Sequence, residues 1–291
     1  MKKKADLLVF SKYSRGSLEI DDIVSLALKR NVKTVSITDS NTFGGSARAN
    51  ILGRKRGLDI IPSLEIFSFD KILNDCPHLV CYYPKDLNIL QNALKKIIFA
   101  LKERSELIIK EVLLECKIPM RIIKKRFESS PCLYISHIIK TLIDTGYLND
   151  FDDDIYKKFS QTNKYLLNVE ENFPNTLDLI SNIHRAKGIA AIVSCNKMFR
   201  NNRHQEVIDL IERAAKSGLD ALQTWHPDYS EKQEKALLDI ADKYNLLKIG
   251  GTEFCGSFST SPNPIGTCYT PYEEIIKIQT MKRMRHGETP L

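Results

Sequence analysis

This chain of 291 residues predicts an α/β fold built on a mostly parallel sheet, closed or nearly closed into a barrel. Two patterns carry that prediction. Short apolar runs alternate with amphipathic stretches, and between several of the runs lie helical stripes at i, i+3, i+4 spacing.

The apolar runs are residues 5–10, 34–38, 59–66, 79–83, 188–194, 220–225 and 246–250. Ile20, Ile23, Val24, Ala27 and Leu28 stripe a first helix. Val207, Ile208, Ile211, Ala214 and Ala215 stripe another, and Leu237, Ile240, Ala241 and Tyr244 a third. From 86 to 186 the alternation stops. Leu87, Leu90, Leu94, Ile97 and Leu101 open a long helix, further helical patterns lie near 134–145 and 175–187, and the acidic run Asp150 to Asp154 reads as a loop between them. This is a helical insertion within a single domain spanning 1–291.

Composition narrows the class. Hydrophobic residues make up 43% and charged residues 27%, values that suit a globular core and exclude a disordered chain. A net charge of +7 favours anionic ligands, but it is spread along the chain, and its obvious cluster, Lys2 to Lys4, reads as a solvated terminus. Seven cysteines without framework spacing, and an N-terminal apolar stretch broken early by Asp6, predict free thiols in a reducing cytoplasm. No run approaches the roughly 18 apolar residues of a membrane span. There is no Gly-rich nucleotide loop, Ser-His-Asp signature, zinc-finger spacing or DNA-binding motif.

In parallel β/α barrels, functional groups gather on the loops that leave the carboxyl ends of the strands. Phe10, Asp39 with Ser40, Glu65, Cys195, Trp225 with His226, and Glu253 with Cys255 all stand at or just beyond such ends. They are expected to share one mouth with His78.

Seven blocks in order, ADLLVFSKYS, SITDSNTFGGSARA, GLDIIPSLEIFS, PHLVCYYP, GIAAIVSCN, GLDALQTWHPDYS and LLKIGGTEFCG, make the chain resemble the polymerase and histidinol phosphatase (PHP) superfamily, in its nucleotide-phosphatase and exoribonuclease branch. The resemblance implies a distorted (β/α)7-type barrel with the helical insertion at 86–186 as a cap over the substrate. The other reading of the insertion is a packing subdomain without contact to any site. The resemblance also places the metal-ligand positions at Leu8, Phe10, Arg15, Ser40, Glu65, His78, Cys195, Glu253 and Cys255. Only Glu65 and His78 keep the residue type of the relatives, and Glu253 stands where they have Asp. Leu8 and Phe10 offer no donor, Arg15 repels a cation and Ser40 offers a weak hydroxyl, so a multi-metal cluster is chemically excluded on those positions.

Two readings of the remainder stay open. Glu65, His78 and Cys195, with Glu253 nearby, make a three-ligand site for a single Zn, or they are a metal-free carboxylate hydrogen-bonded to a histidine. Cys195 and Cys255 are nucleophiles with His226 or His78 as partners, or they are small residues filling space. The resemblance puts Arg104 and His137 at phosphate-holding positions on the insertion, and Arg15 adds an anion-binding charge. Trp225 stacks on a ligand ring or closes the mouth. The leading expectation is a non-hydrolytic phosphoesterase homologue that binds a small anionic or acyl-type ligand, or a protein partner, with no cofactor. The alternative is an altered enzyme, either a mono-zinc hydrolase or a thiol-dependent acyl or group transferase using Cys195.

Overall fold

The structure, a computed structural model, describes residues 4–149, 172–199, 203–258 and 263–289. Strand β1 (Lys4–Val9) is followed by α1 (Ile20–Lys29), β2 (Val32–Ile37), α2 (Gly44–Arg56) and β3 (Asp59–Ile60), and the three strands form one parallel sheet in the order β1-β2-β3. Helix α1 forms as its stripe predicts: Ile20, Ile23, Val24 and Ala27 are buried. Asp21 and Asp22 in its first turn and Lys29 in its last complement the helix dipole.

The run 59–66, expected as one strand, is two. Pro62 has no N–H to give a ladder, so the chain breaks there and resumes as β4 (Ser63–Phe67) in the second sheet. That sheet continues through β5 (His78–Tyr82), β6 (Ile189–Val193), β7 (Ala221–Trp225) and β8 (Leu247–Gly250). β6, β7 and β8 are parallel, but β5 is antiparallel to both β4 and β6. The connection from β4 to β5 carries no helix, and a parallel return would need a crossover of a dozen or more residues.

The two sheets do not close into one continuous ladder. Single bridges, Ser40 to Glu65 on one side and Val9 to Phe254 on the other, link them. The fold is thus mixed α/β, with the closed barrel not formed by strand pairing.

Between β5 and β6 the insertion supplies α3 (Gln91–Glu115), α4 (Met120–Arg126), α5 (Ile135–Asp144) and α6 (Thr176–Arg185). The acidic run at 150–154 lies outside the described residues. The one-turn α7 (Cys195–Met198) and α8 (His204–Lys216) lead to β7, α9 (Glu231–Lys243) to β8, and α10 (Tyr272–His286) closes the described chain. Among the described residues no helix is long and apolar enough to cross a membrane. All seven cysteines are free thiols, as their spacing predicts.

Leu8 belongs to the apolar cluster between the strands, fully buried with Val80, Ala191 and Ile249. Burying such a side chain contributes about 1.5–3 kcal/mol, so this position now serves packing.

Candidate functional site

The turn after β1 is fixed first. Asp39, just past β2, accepts from the Ser11 backbone N–H at 2.7 Å, from Ser11 Oγ at 2.6 Å and from Ser14 Oγ at 2.7 Å. Burial raises the Asp39 pKa, against the pull of those serine donors. A Cβ at Gly45 would sit 1.9 Å from Asp39 Oδ2, which is why glycine opens α2 there. This clamp presents Arg15 to the mouth.

Arg15 lies over the Phe10 ring, 4.0 Å from its centroid, and its Nη2 donates to Glu65 Oε1 at 2.8 Å. The same oxygen is 3.0 Å from His78 Nδ1, and Ser40 Oγ donates to Glu65 Oε2 at 2.5 Å. Glu65 is fully buried. Burial would raise its pKa, but Arg15, His78 and Lys197 outweigh that and hold it at about 2. An ionised carboxylate only accepts, so His78 Nδ1 carries the proton. Burial lowers the His78 pKa more than Glu65 raises it, leaving the ring neutral. The antiparallel β5 explains how His78 reaches the mouth: its first residue pairs with Phe67 at the end of β4 and Val193 at the end of β6. The Phe67 ring stacks on His78 with centroids 4.4 Å apart.

Glu253, beyond β8, organises the other half. Ser194 Oγ donates to its Oε1, Lys197 Nζ stands 3.2 Å from its Oε2, and His226 Nε2 is 3.7 Å from its Oε1. Burial opposes ionisation of Glu253, yet Lys197, His226 and Arg15 hold its pKa far below the usual range. Burial lowers the His226 pKa, and its Nδ1 accepts from the Asp228 backbone N–H at 3.0 Å. Arg15 acts on both carboxylates and so does Lys197, so the halves form one mouth of alternating charge.

The backbone is strained at its rim. Asn41, Ser194 and Glu253 take φ of 58°, 59° and 50°, a left-handed conformation costing about 1–2 kcal/mol for each non-glycine residue. Asn41 is held by its N–H to the Glu65 carbonyl and by its Oδ1, which accepts from the Phe67 N–H.

The insertion touches this mouth. Tyr134, ahead of α5, donates its hydroxyl to the Ser40 carbonyl at 2.6 Å, and Phe67 meets Tyr134 edge-on at 6.3 Å.

Solved structures and two characterised proteins resemble the chain across most of its length. A crystal structure of a protein from Bifidobacterium adolescentis classed as a metal-dependent phosphoesterase superposes with a TM-score of 0.83 at 21% identity, over 99% of this chain and 98% of that one. An amidohydrolase from Chromobacterium violaceum, solved with bound sulfate and no metal, gives a TM-score of 0.76 at 19% identity over 92% of each chain. The chain shares the fold of these two structures. A phosphoribosyl 1,2-cyclic phosphate 1,2-diphosphodiesterase from Eggerthella lenta is 20% identical over 260 residues, 89% of this chain and 96% of that protein. A 5'-3' exoribonuclease from Haemophilus influenzae is 23% identical over 279 residues, 90% of this chain and 95% of that protein. No family model matches the chain.

The resemblance invites a metal, and the residues do not fit one. Among the described residues no three His, Cys, Asp or Glu side chains gather into a group that could hold an ion. Of the expected zinc set Glu65, His78, Cys195 and Glu253, Glu65 pairs with His78 and Arg15, and Glu253 with Lys197. Each carboxylate already has a cation of the protein's own.

Cys195 is fully buried, its pKa is pushed up to about 12 by burial, and its side-chain partner is Tyr229. Cys255 rises to about 11 by burial, and its thiol donates to the Glu253 carbonyl at 3.2 Å. Neither is a ready thiolate. His226, the expected base, faces Glu253. His137 caps α5, its Nδ1 accepting from the Tyr134 N–H at 3.1 Å, and burial lowers its pKa to about 4, so it carries no charge for phosphate. Arg104 is half-buried on α3, and Trp225 is the partly exposed last residue of β7.

Sequence reasoning missed Lys197, Ser194 and Tyr134. Lys197 had one available signal, as the first cation after the end of β6 in a turn that also holds a candidate residue.

Proposed function

We propose that this protein binds a small anionic ligand in the covered mouth and does not carry out multi-metal phosphoester hydrolysis. The observation behind it is the Arg15 guanidinium on Glu65, a fixed cation on a carboxylate that stands at a metal-ligand position of the PHP resemblance. A metal would have to displace that buried pair and the Lys197 pair on Glu253, at the cost of leaving two cations beside it. In this reading the two bridged sheets act as a distorted (β/α)7 barrel, residues 86–186 are its cap, and Arg104 and Trp225 are candidates for ligand contact at the cap and rim. The protein works in the cytoplasm.

The names of the Eggerthella and Haemophilus relatives direct the test toward phosphodiesters and RNA. Protein purified without chelator is assayed for metal content and for manganese-dependent phosphate release from a nucleoside bisphosphate and short RNA. Less than one metal per chain and no release are expected. Two or three metals per chain, or release comparable to active phosphoesterases, would overturn the reading.

A further inference from the structure

Glu253, Lys197 and His226 form a cluster whose hydrogen bonding is incomplete. His226 Nδ1 accepts from the Asp228 N–H, so the neutral ring carries its proton on Nε2. That Nε2–H is buried without a hydrogen-bond partner, and Glu253 Oε1, the acceptor it faces, is 3.7 Å away, beyond bonding reach. The His226 side chain is 2% exposed. A buried donor left unsatisfied is costly, and a ligand oxygen is one partner that would complete it. Lys197 stands on the other oxygen of Glu253 at 3.2 Å, its side chain 37% exposed on a single turn of helix, so it has room to turn toward a ligand. Arg15 adds positive field from the opposite side.

Two carboxylates limit what can enter. Glu65 and Glu253 are both paired with cations as ionised groups, and an oxyanion without protons placed against Glu253 would set two bare anions in contact. An oxyanion that carries an O–H turns the same contact into a charge-assisted hydrogen bond.

Building on the binding reading above, we infer that the mouth selects a proton-bearing oxyanion, with His226 Nε2–H and Lys197 donating to its oxygens and Glu253 accepting from its O–H. Inorganic phosphate in mildly acidic buffer has both kinds of group, whereas sulfate of the same shape has acceptors only.

Calorimetric titration of the full chain in EDTA, with phosphate and then sulfate, tests it. Phosphate is expected to bind at least about tenfold more tightly than sulfate, the size of one charge-assisted hydrogen bond. Glu253→Gln, whose amide can donate, is expected to remove the difference by strengthening sulfate, and Lys197→Met to weaken both anions about tenfold. Equal affinity of the wild-type protein for the two anions, or no phosphate binding at all, overturns the inference. So does phosphate affinity unchanged in Lys197→Met. If the Glu253 variant does not fold, the wild-type comparison alone decides. Metal-dependent hydrolysis would instead strike at the binding reading, because these titrations are run without metal.

Discussion

The Arg15 Nη2 to Glu65 Oε1 ion pair, at 2.8 Å, joins the turn after β1 to the second sheet across a fully buried carboxylate. It comes beside the single backbone bridge from Ser40 to Glu65, so a side-chain pair supports a seam that strand pairing leaves thin. Buried pairs of this kind add little over a well-packed apolar pair, yet breaking one from a single side is expensive, because the remaining charge has no partner.

Arg15→Met is therefore expected to lower unfolding stability by about 3–5 kcal/mol. The double variant Arg15→Met with Glu65→Gln should recover most of that loss, since it leaves no buried charge. Urea denaturation of the three proteins measures it. A single variant as stable as wild type would show that His78 and Ser40 suffice to hold Glu65.

Stability should fall in acid through the same residue. Glu65 has its pKa lowered from 4.5 to about 2 in the folded chain. A depressed folded pKa adds stability above the unfolded value and loses it as pH falls from about 4.5 through about 2, with a full contribution of about 3 kcal/mol. Asp6 works in the opposite sense, its pKa raised by burial to about 6, so its contribution is lost as pH rises from about 4 through about 6. Glu65→Gln should flatten the acid limb of a stability-versus-pH curve and leave the limb above pH 5 in shape. An acid limb unaltered by the substitution would assign it to other carboxylates.

Cys195 should resist alkylation in the native protein. Burial both shields the thiol and raises its pKa to about 12, so little thiolate exists at neutral pH. Peptide mapping after iodoacetamide treatment is expected to find Cys195 unmodified in buffer and modified in urea. Rapid native labelling would restore the nucleophile reading.

Tyr134→Phe removes the hydroxyl that ties the insertion to the Ser40 carbonyl. A loss of about 1 kcal/mol is expected, concentrated in faster hydrogen exchange over α5. Exchange that rises evenly through the chain would mean that the tyrosine acts by general packing.

Alternation of apolar runs and amphipathic stripes made most strands and several helices legible, because a buried face imposes its period on the sequence whatever lies across from it. That Leu8 and Phe10 offer no metal donor was likewise legible in sequence, since ligand chemistry depends on residue type. The direction of β5 was not legible: a short apolar run has the same composition in either orientation, and only the helix-free link from β4 sets it. Nor did sequence show that Cys195 turns to Tyr229 while Lys197, two residues on, reaches Glu253. Residue types decided which side chains at this mouth offer a donor or a charge, whereas the pairing of its charges depends on distances between segments far apart in the chain, such as Arg15 with Glu65 and Lys197 with Glu253, which only the folded chain brings together.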